Sequence, residues 1–95
     1  MGLKVEVCLS PLLYDNYRNT ESIVVAIDVL RATSAICTAF ENGVKEIIPV
    51  ASLDEAWEYK RKGFIVGGER NGEQIDGLDF GNSPYHYMDE SIKDQ

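Results

Sequence analysis

The chain alternates short β-branched runs with segments of helical period. Residues 3–9 alternate loosely, Val5, Val7 and Leu9 against Lys4 and Glu6, and predict a strand with one wetter face. Residues 10–20 are polar, contain Pro11 and predict a loop anchored by Leu12, Leu13 and Tyr14. Residues 23–27 form a continuous β-branched run, the pattern of a strand covered on both faces. Ala32, Ala35, Ile36, Ala39 and Phe40 then recur at helical spacing, and Asn42-Gly43 supplies a left-handed stop. Residues 46–50 predict another short buried strand. Ser52 and Glu55 form a capping box ahead of an amphipathic helix through Leu53, Ala56, Trp57 and Lys60, which Gly63 ends. Residues 64–66 predict a further core strand that runs into Gly67-Gly68 and a long Gly-rich loop reaching Ser83. Residues 85–95 are polar and read as a tail that packs little.

The order strand, loop, strand, helix, strand, helix, strand predicts an α/β fold: a mostly parallel sheet with right-handed crossover helices. At 95 residues the natural expectation is one domain, residues 1–95. In such sheets ligands bind beyond the carboxyl ends of the strands. Asp28 and the run Gly67-Gly68-Glu69-Arg70 both follow predicted strands, so two strand exits are expected to feed one cleft.

Composition narrows the partners. The formal net charge is −7, and no cluster of Lys and Arg stands out. That balance disfavours nucleic acid and anionic membrane, while leaving room for a small anion bound by local arginines. No apolar run approaches the roughly 20 residues that span a bilayer, and the first residues lack the apolar core of a signal peptide. Cys8 and Cys37 stand far apart in apolar surroundings, without Cys-x-x-Cys spacing. They read as two buried thiols in a reducing cytosol, and the expected location is cytoplasmic.

Three segments carry candidate chemistry. In the first, the run from Ser22 delivers Asp28 to a strand end, and Arg31, Thr33 and Ser34 fall where a helix begins. A helix start offers unpaired N–H groups and a favourable dipole to an anion, and Arg31 adds a planar donor fork. The pattern alone equally allows Asp28, Thr33 and Ser34 to be capping residues, and Arg31 to be a structural ion-pair partner. The second segment, Gly67-Gly68-Glu69-Arg70-Asn71-Gly72, either lets backbone approach a ligand or is a tight turn with a solvated Glu-Arg pair. The third, Asp79-Phe80-Gly81-Asn82-Ser83-Pro84, either lines a polar pocket or is a surface turn. Asp28, Glu69, Asp76 and Asp79 are hard oxygen ligands of the kind Mg²⁺ takes. His86 reads as a surface residue, and Cys37 as a core residue of its helix.

Together these segments resemble the 2-phosphosulfolactate phosphatases (ComB-like proteins). The resemblance is carried by Ile27-Asp28-Val29-Leu30-Arg31-Ala32-Thr33-Ser34, by Asn42-Gly43 with Lys45-Glu46-Ile47-Ile48-Pro49-Val50, by Gly68-Glu69-Arg70-Asn71-Gly72 and by Phe80-Gly81-Asn82-Ser83-Pro84. It covers residues 3–87 and implies Mg²⁺-dependent hydrolysis of 2-phospho-3-sulfolactate to sulfolactate and phosphate, a step of coenzyme M biosynthesis. Carried onto this chain, it implies Asp28, Arg31 and Arg70 as catalytic residues and Asp28, Glu69 and Asp79 as metal ligands. Thr33, Ser34, Asn71, Gly72, Asn82 and Ser83 would contact a small phosphorylated sulfonate or carboxylate. Members of that family are longer, with a second α/β half that carries a Thr-Thr-Asn-Gly-Thr-like segment. Nothing of that kind occurs here, so the expectation is an N-terminal part of a two-part phosphatase, or a shortened relative. An exposed strand edge is then expected to favour a homo-oligomer. A non-catalytic anion-binding or interaction module is the alternative.

Overall fold

Helix α1 (Ala32–Glu41) forms where the 3.6-residue period predicts it, and buries Ala35 and Ala39. Its end is fixed by backbone geometry: Gly43 takes φ +94°, and Gly43 and Val44 N–H groups return to Phe40 and Ala39 carbonyls. Helix α2 (Leu53–Arg61) starts at Ser52, whose hydroxyl accepts from Glu55 N–H at 3.3 Å. Glu55 answers by accepting from Ala51 N–H at 3.1 Å, one residue before the cap. Asp54 and Glu55 in the first turn and Lys60 and Arg61 in the last complement the helix dipole. The computed structural model describes residues 2–95.

The fold is mixed α/β, but its sheet differs from expectation. Among the described residues the ladder is an antiparallel hairpin, β1 (Glu69–Arg70) against β2 (Glu73–Gln74), pairing Glu69 with Gln74 and Arg70 with Glu73. One isolated parallel bridge joins Gly67 to Phe80. Residues 3–9, 23–27, 46–50 and 64–66 run extended without pairing to one another. The reason lies in which neighbours reach their backbones. Val66 N–H is taken by the Asp79 carboxylate, and Val66 C=O accepts from Asp79 and Phe80. Lys45 and Glu46 donate to the Gln95 carbonyl. A strand ladder needs hydrogen-bonded partners about 4.8 Å apart, and among the described residues these runs form no such ladder with one another.

Residues 10–20 are not a plain loop: Pro11–Asn16 forms a 3-10 helix capped by the Ser10 hydroxyl. Residues 85–95 are also more than a loose tail. Two 3-10 helices, Pro84–Met88 and Glu90–Ile92, fold the segment back, Pro84–Met88 packs on α1, and Ile92 is buried. The polar composition hid this packing because one apolar residue, Ile92, anchors the last turn.

A small core joins Ala56, Val66 and Leu78, with Trp57, Tyr59 and Ile75 packed around it. Tyr59 meets Phe64 edge-on at 5.1 Å. Trp57 lies over Gly77, where a Cβ would come within 2.7 Å of the indole and where φ is +89°. An apolar groove of about 460 Å³ runs between residues 44–50 and 63–67, with Ala39, Ala56, Tyr87 and Ile92 also lining it. Cys8 is half-buried and Cys37 exposed, both as free thiols, so the expected pair of buried cysteines is corrected: Cys37 lies off the face carrying Ala35 and Ala39.

Candidate functional site

Asp28 ends the extended run, and the next residues close into the first turn of α1. Thr33 N–H donates to Asp28 C=O at 3.1 Å, and Thr33 Oγ1 both accepts from Asp28 N–H at 2.6 Å and donates to its C=O. Ser34 Oγ donates to Val29 C=O at 2.5 Å. The two hydroxyls therefore shape the entry to the helix, and Arg31, not Asp28, is its N-cap residue, without a side-chain cap bond. The Asp28 side chain is exposed and makes no hydrogen bond or ion pair among the described residues. A shallow hollow of about 250 Å³ opens beside it, lined by Ala26, Ile27, Asp28, Val29, Thr33, Ser34 and Cys37.

Arg31 connects this turn to the second segment. Its Nη2 donates to Gly72 C=O at 3.0 Å, across 41 residues of sequence. Asn71 and Gly72, at φ +55° and +80°, form the two-residue connection of the hairpin, and both positive angles match a type I′ turn. Glu69 accepts from Gly72 N–H at 2.7 Å. The two peptide groups of Gly72 are thus held by Glu69 and Arg31. The tight-turn reading of this segment holds; the Arg31 bond joins the helix start after Asp28 to this turn, while the runs expected as strands before them do not pair. Asn-Gly between polar flanks was the signal for the hairpin. Arg70 is exposed opposite Glu73 in the ladder.

The third segment is tied to the hairpin through its flanks. Gly68 N–H donates to Phe80 C=O at 3.0 Å, and a Cβ on Gly81 would stand 3.1 Å from Gln74 Cβ. Asn82 and Ser83 are half-buried. Asp79 is engaged elsewhere: Oδ1 takes Lys60 Nζ at 2.8 Å and Oδ2 takes Val66 N–H at 2.9 Å. The Lys60 hydrogen bond, followed by that of Val66, holds the Asp79 carboxyl below its ordinary value. His86, read from sequence as a surface residue, instead accepts from Gly81 N–H at 2.9 Å through Nδ1. Nothing in the spacing marked it, because the contact depends on the 3-10 turn at Pro84–Met88.

Magnesium is what the donor chemistry of these carboxylates suggests, yet the expected set does not assemble. Among the described residues no three His, Cys, Asp or Glu side chains meet as a metal cluster. Asp79 is engaged by Lys60, and Glu69 by the hairpin turn. Asp28 alone of the three keeps its carboxylate open.

The Arg31 helix start is tied to the hairpin turn, and Gly81 of the third segment abuts Gln74 in the second strand of the same hairpin. The family model described as 2-phosphosulpholactate phosphatase matches residues 8–95, and the chain belongs to that family. A probable 2-phosphosulfolactate phosphatase of Clostridium novyi is 41% identical over 96 residues, covering 98% of this chain and 41% of the relative. One from Caldanaerobacter subterraneus is 49% identical over 77 residues, covering 77% and 32%. A third, from Thermotoga maritima, is 50% identical over 68 residues, covering 72% and 30%. The chain thus spans about two fifths or less of the length of these relatives. Among the described residues no helix is long and apolar enough to cross a membrane.

Proposed function

We propose that this chain supplies anion-binding and catalytic groups of a phosphoric monoester hydrolase acting on 2-phospho-3-sulfolactate, to give sulfolactate and phosphate in the manner of coenzyme M biosynthesis. The observation that carries the reading is the Arg31 to Gly72 bond, which sets the start of α1 against the Asn71-Gly72 turn. The substrate bears phosphate, sulfonate and carboxylate, so guanidinium groups are the fitting partners. Arg31 and Arg70 are the proposed cations. Ser34 N–H in the first turn, the Asn71-Gly72 turn, and the Asn82 and Ser83 side chains are the proposed polar contacts. Hydrolysis breaks the ester P–O bond, joins a water oxygen to phosphorus, and moves a proton from that water to the leaving alkoxide. Phosphoryl transfer of this kind relies on positioning and on stabilising charge that grows on the phosphoryl oxygens. Asp28 is the proposed carboxylate of the site. Magnesium dependence is part of the proposal.

The same reading extends to the fold and its setting. We propose a mostly parallel sheet in which residues 23–27 enter the groove between residues 44–50 and 63–67. Two features support it: the groove is apolar, and the exits of the two runs are already joined through Arg31 and Gly72. Right-handed crossovers through α1 and α2 are compatible with that order. Residues 3–9 then remain an edge, and a second copy of the chain is the proposed cover, in a cytosolic setting that suits free thiols.

The test is phosphate release from 2-phosphosulfolactate by the purified chain, with Mg²⁺ and with EDTA, for wild type and Arg31→Ala. Release that needs Mg²⁺ and falls on the order of a hundredfold in the variant is the expected result. Equal release by both proteins removes Arg31 from the site. Binding without release, weakened in Arg31→Ala, identifies a binding module in place of an enzyme.

A further inference from the structure

Gly81 is buried, and side chains of the following 3-10 helix hold both of its polar groups. Its N–H donates to His86 Nδ1 at 2.9 Å, and its C=O accepts from Tyr87 Oη at 2.7 Å. Buried peptide groups must be paired, and here the pairing comes from two adjacent residues of one turn. Both rings lie against Phe80, with centroids 6.2 Å away for His86 and 5.3 Å for Tyr87. Gly67 leaves the room that Tyr87 Oη occupies, since a Cβ there would run into the hydroxyl. Burial pushes the Tyr87 phenol up from its ordinary value, which keeps the donor protonated.

The clamp has a second feature that separates it from ordinary packing. Ser83 is the N-cap residue of Pro84–Met88, yet its hydroxyl makes no capping bond, whereas Ser10 and Ser52 both cap their helices. The Asn82 side chain likewise has no protein hydrogen-bond partner among the described residues. The backbone of the loop is held while its polar side chains stay open, the arrangement of a preorganised contact. Pro84–Met88 also packs on α1, and Gly81 abuts Gln74 of the hairpin. The turn therefore contacts α1 and Gly67, and the Gly81 it holds contacts the hairpin.

We propose that His86 and Tyr87 are positioning residues: by fixing the peptide of Gly81 they set where Asn82 and Ser83 meet an anion held at Arg31 and the Asn71-Gly72 turn. The inference rests on the phosphatase reading above and adds the device that holds its third segment in place.

The experiment is calorimetric titration of the 95-residue chain with 2-phosphosulfolactate, alongside hydrogen exchange of the Gly81 amide. The proteins are wild type, His86→Leu, His86→Asn and Tyr87→Phe. Asn places a carbonyl oxygen near the position of the imidazole Nδ1, so it restores the acceptor that Leu removes. Tyr87→Phe deletes one hydroxyl and keeps the ring, so it reads the clamp even where His86→Leu fails to fold. His86→Leu and Tyr87→Phe are expected to weaken binding roughly five- to tenfold, the scale of one lost hydrogen bond. His86→Leu should also lose Gly81 amide protection, and His86→Asn should return both readouts to near wild type. Wild-type affinity in His86→Leu despite an unprotected Gly81 amide overturns the positioning role and leaves the phosphatase reading intact. So does a His86→Asn protein that binds no better than His86→Leu. A wild-type chain that binds no substrate overturns the phosphatase reading and the inference together, before any variant is compared.

Discussion

Both carboxylate oxygens of Asp79 are engaged, one by Lys60 and one by Val66 N–H, and the consequence is a pH dependence with a definite sign. Its pKa is lowered in the folded chain, so the unfolded chain binds the proton more readily. The stabilisation is present above the unfolded carboxyl value of about 4 and is lost as pH falls through the lower folded value. Asp79→Asn is expected to cost less than about 1 kcal/mol at neutral pH, because the pair is partly solvated and screened. Denaturant melts at several pH values check this: the wild-type advantage should shrink below about pH 4. An advantage that persists undiminished in acid contradicts the assignment. At this scale the sequence showed which residues were chemically able, but not which were already taken. Asp79 and Asp28 look alike in the chain, and only tertiary contacts separate an ion-paired carboxylate from an open one. His86 shows the converse, a residue without a local signal that acquires its role from a turn.

The helices were legible because their determinants are local. Ser52, Glu55, Gly43 and Gly63 act within a few residues of where they stand, and both helices fall where their caps put them. The hairpin was legible in principle, since Asn71-Gly72 meets the φ requirement of its turn within two residues. The strands were not, because a ladder depends on a neighbour distant in sequence, and the β-branched runs specify only that some neighbour is wanted. Gly67 illustrates an element-level constraint that composition conceals. It could be read as a ligand approach or a turn, and it is the space for Tyr87 beside the bridge to Phe80. Gly67→Ala is expected to displace the Tyr87 hydroxyl and destabilise the chain by about 1–3 kcal/mol, the range for overpacking. Thermal unfolding with Tyr87→Phe as background checks the cause: with the hydroxyl already gone, the added methyl should cost less. An equal cost in both backgrounds assigns the strain elsewhere.

For the whole molecule, surface area is the informative quantity. The accessible surface is 8051 Å², whereas a folded chain of this mass is expected to expose about 5,500 Å². The radius of gyration, 15.6 Å, likewise exceeds the roughly 12 Å of a compact domain of this length. The excess is apolar: Leu3 is 94% exposed, Ile23 94% and Ile27 82%. A surplus of roughly 2,500 Å² is of the size that obligate interfaces bury. In the proposed sheet, closing residues 23–27 into the groove would cover part of it, and the proposed second copy would cover residues 3–9. Sedimentation velocity over a range of concentrations is expected to show a monomer giving way to a dimer or larger species. Replacing Val5 and Val7 by Lys should return the chain to monomer. A chain that stays monomeric at high micromolar concentration argues that the sheet closes without a second copy.

Trp57 is the single tryptophan of the chain, and its indole lies over the bare face of Gly77. Gly77 stands between the hairpin and Asp79, so the fluorophore sits on the segment that ties the proposed anion site to the core. Its emission therefore follows the docking of that segment without any added label. The proposed ligand capture at the hairpin, loosening of the loop in acid and global unfolding would all be timed through one optical channel already built into α2.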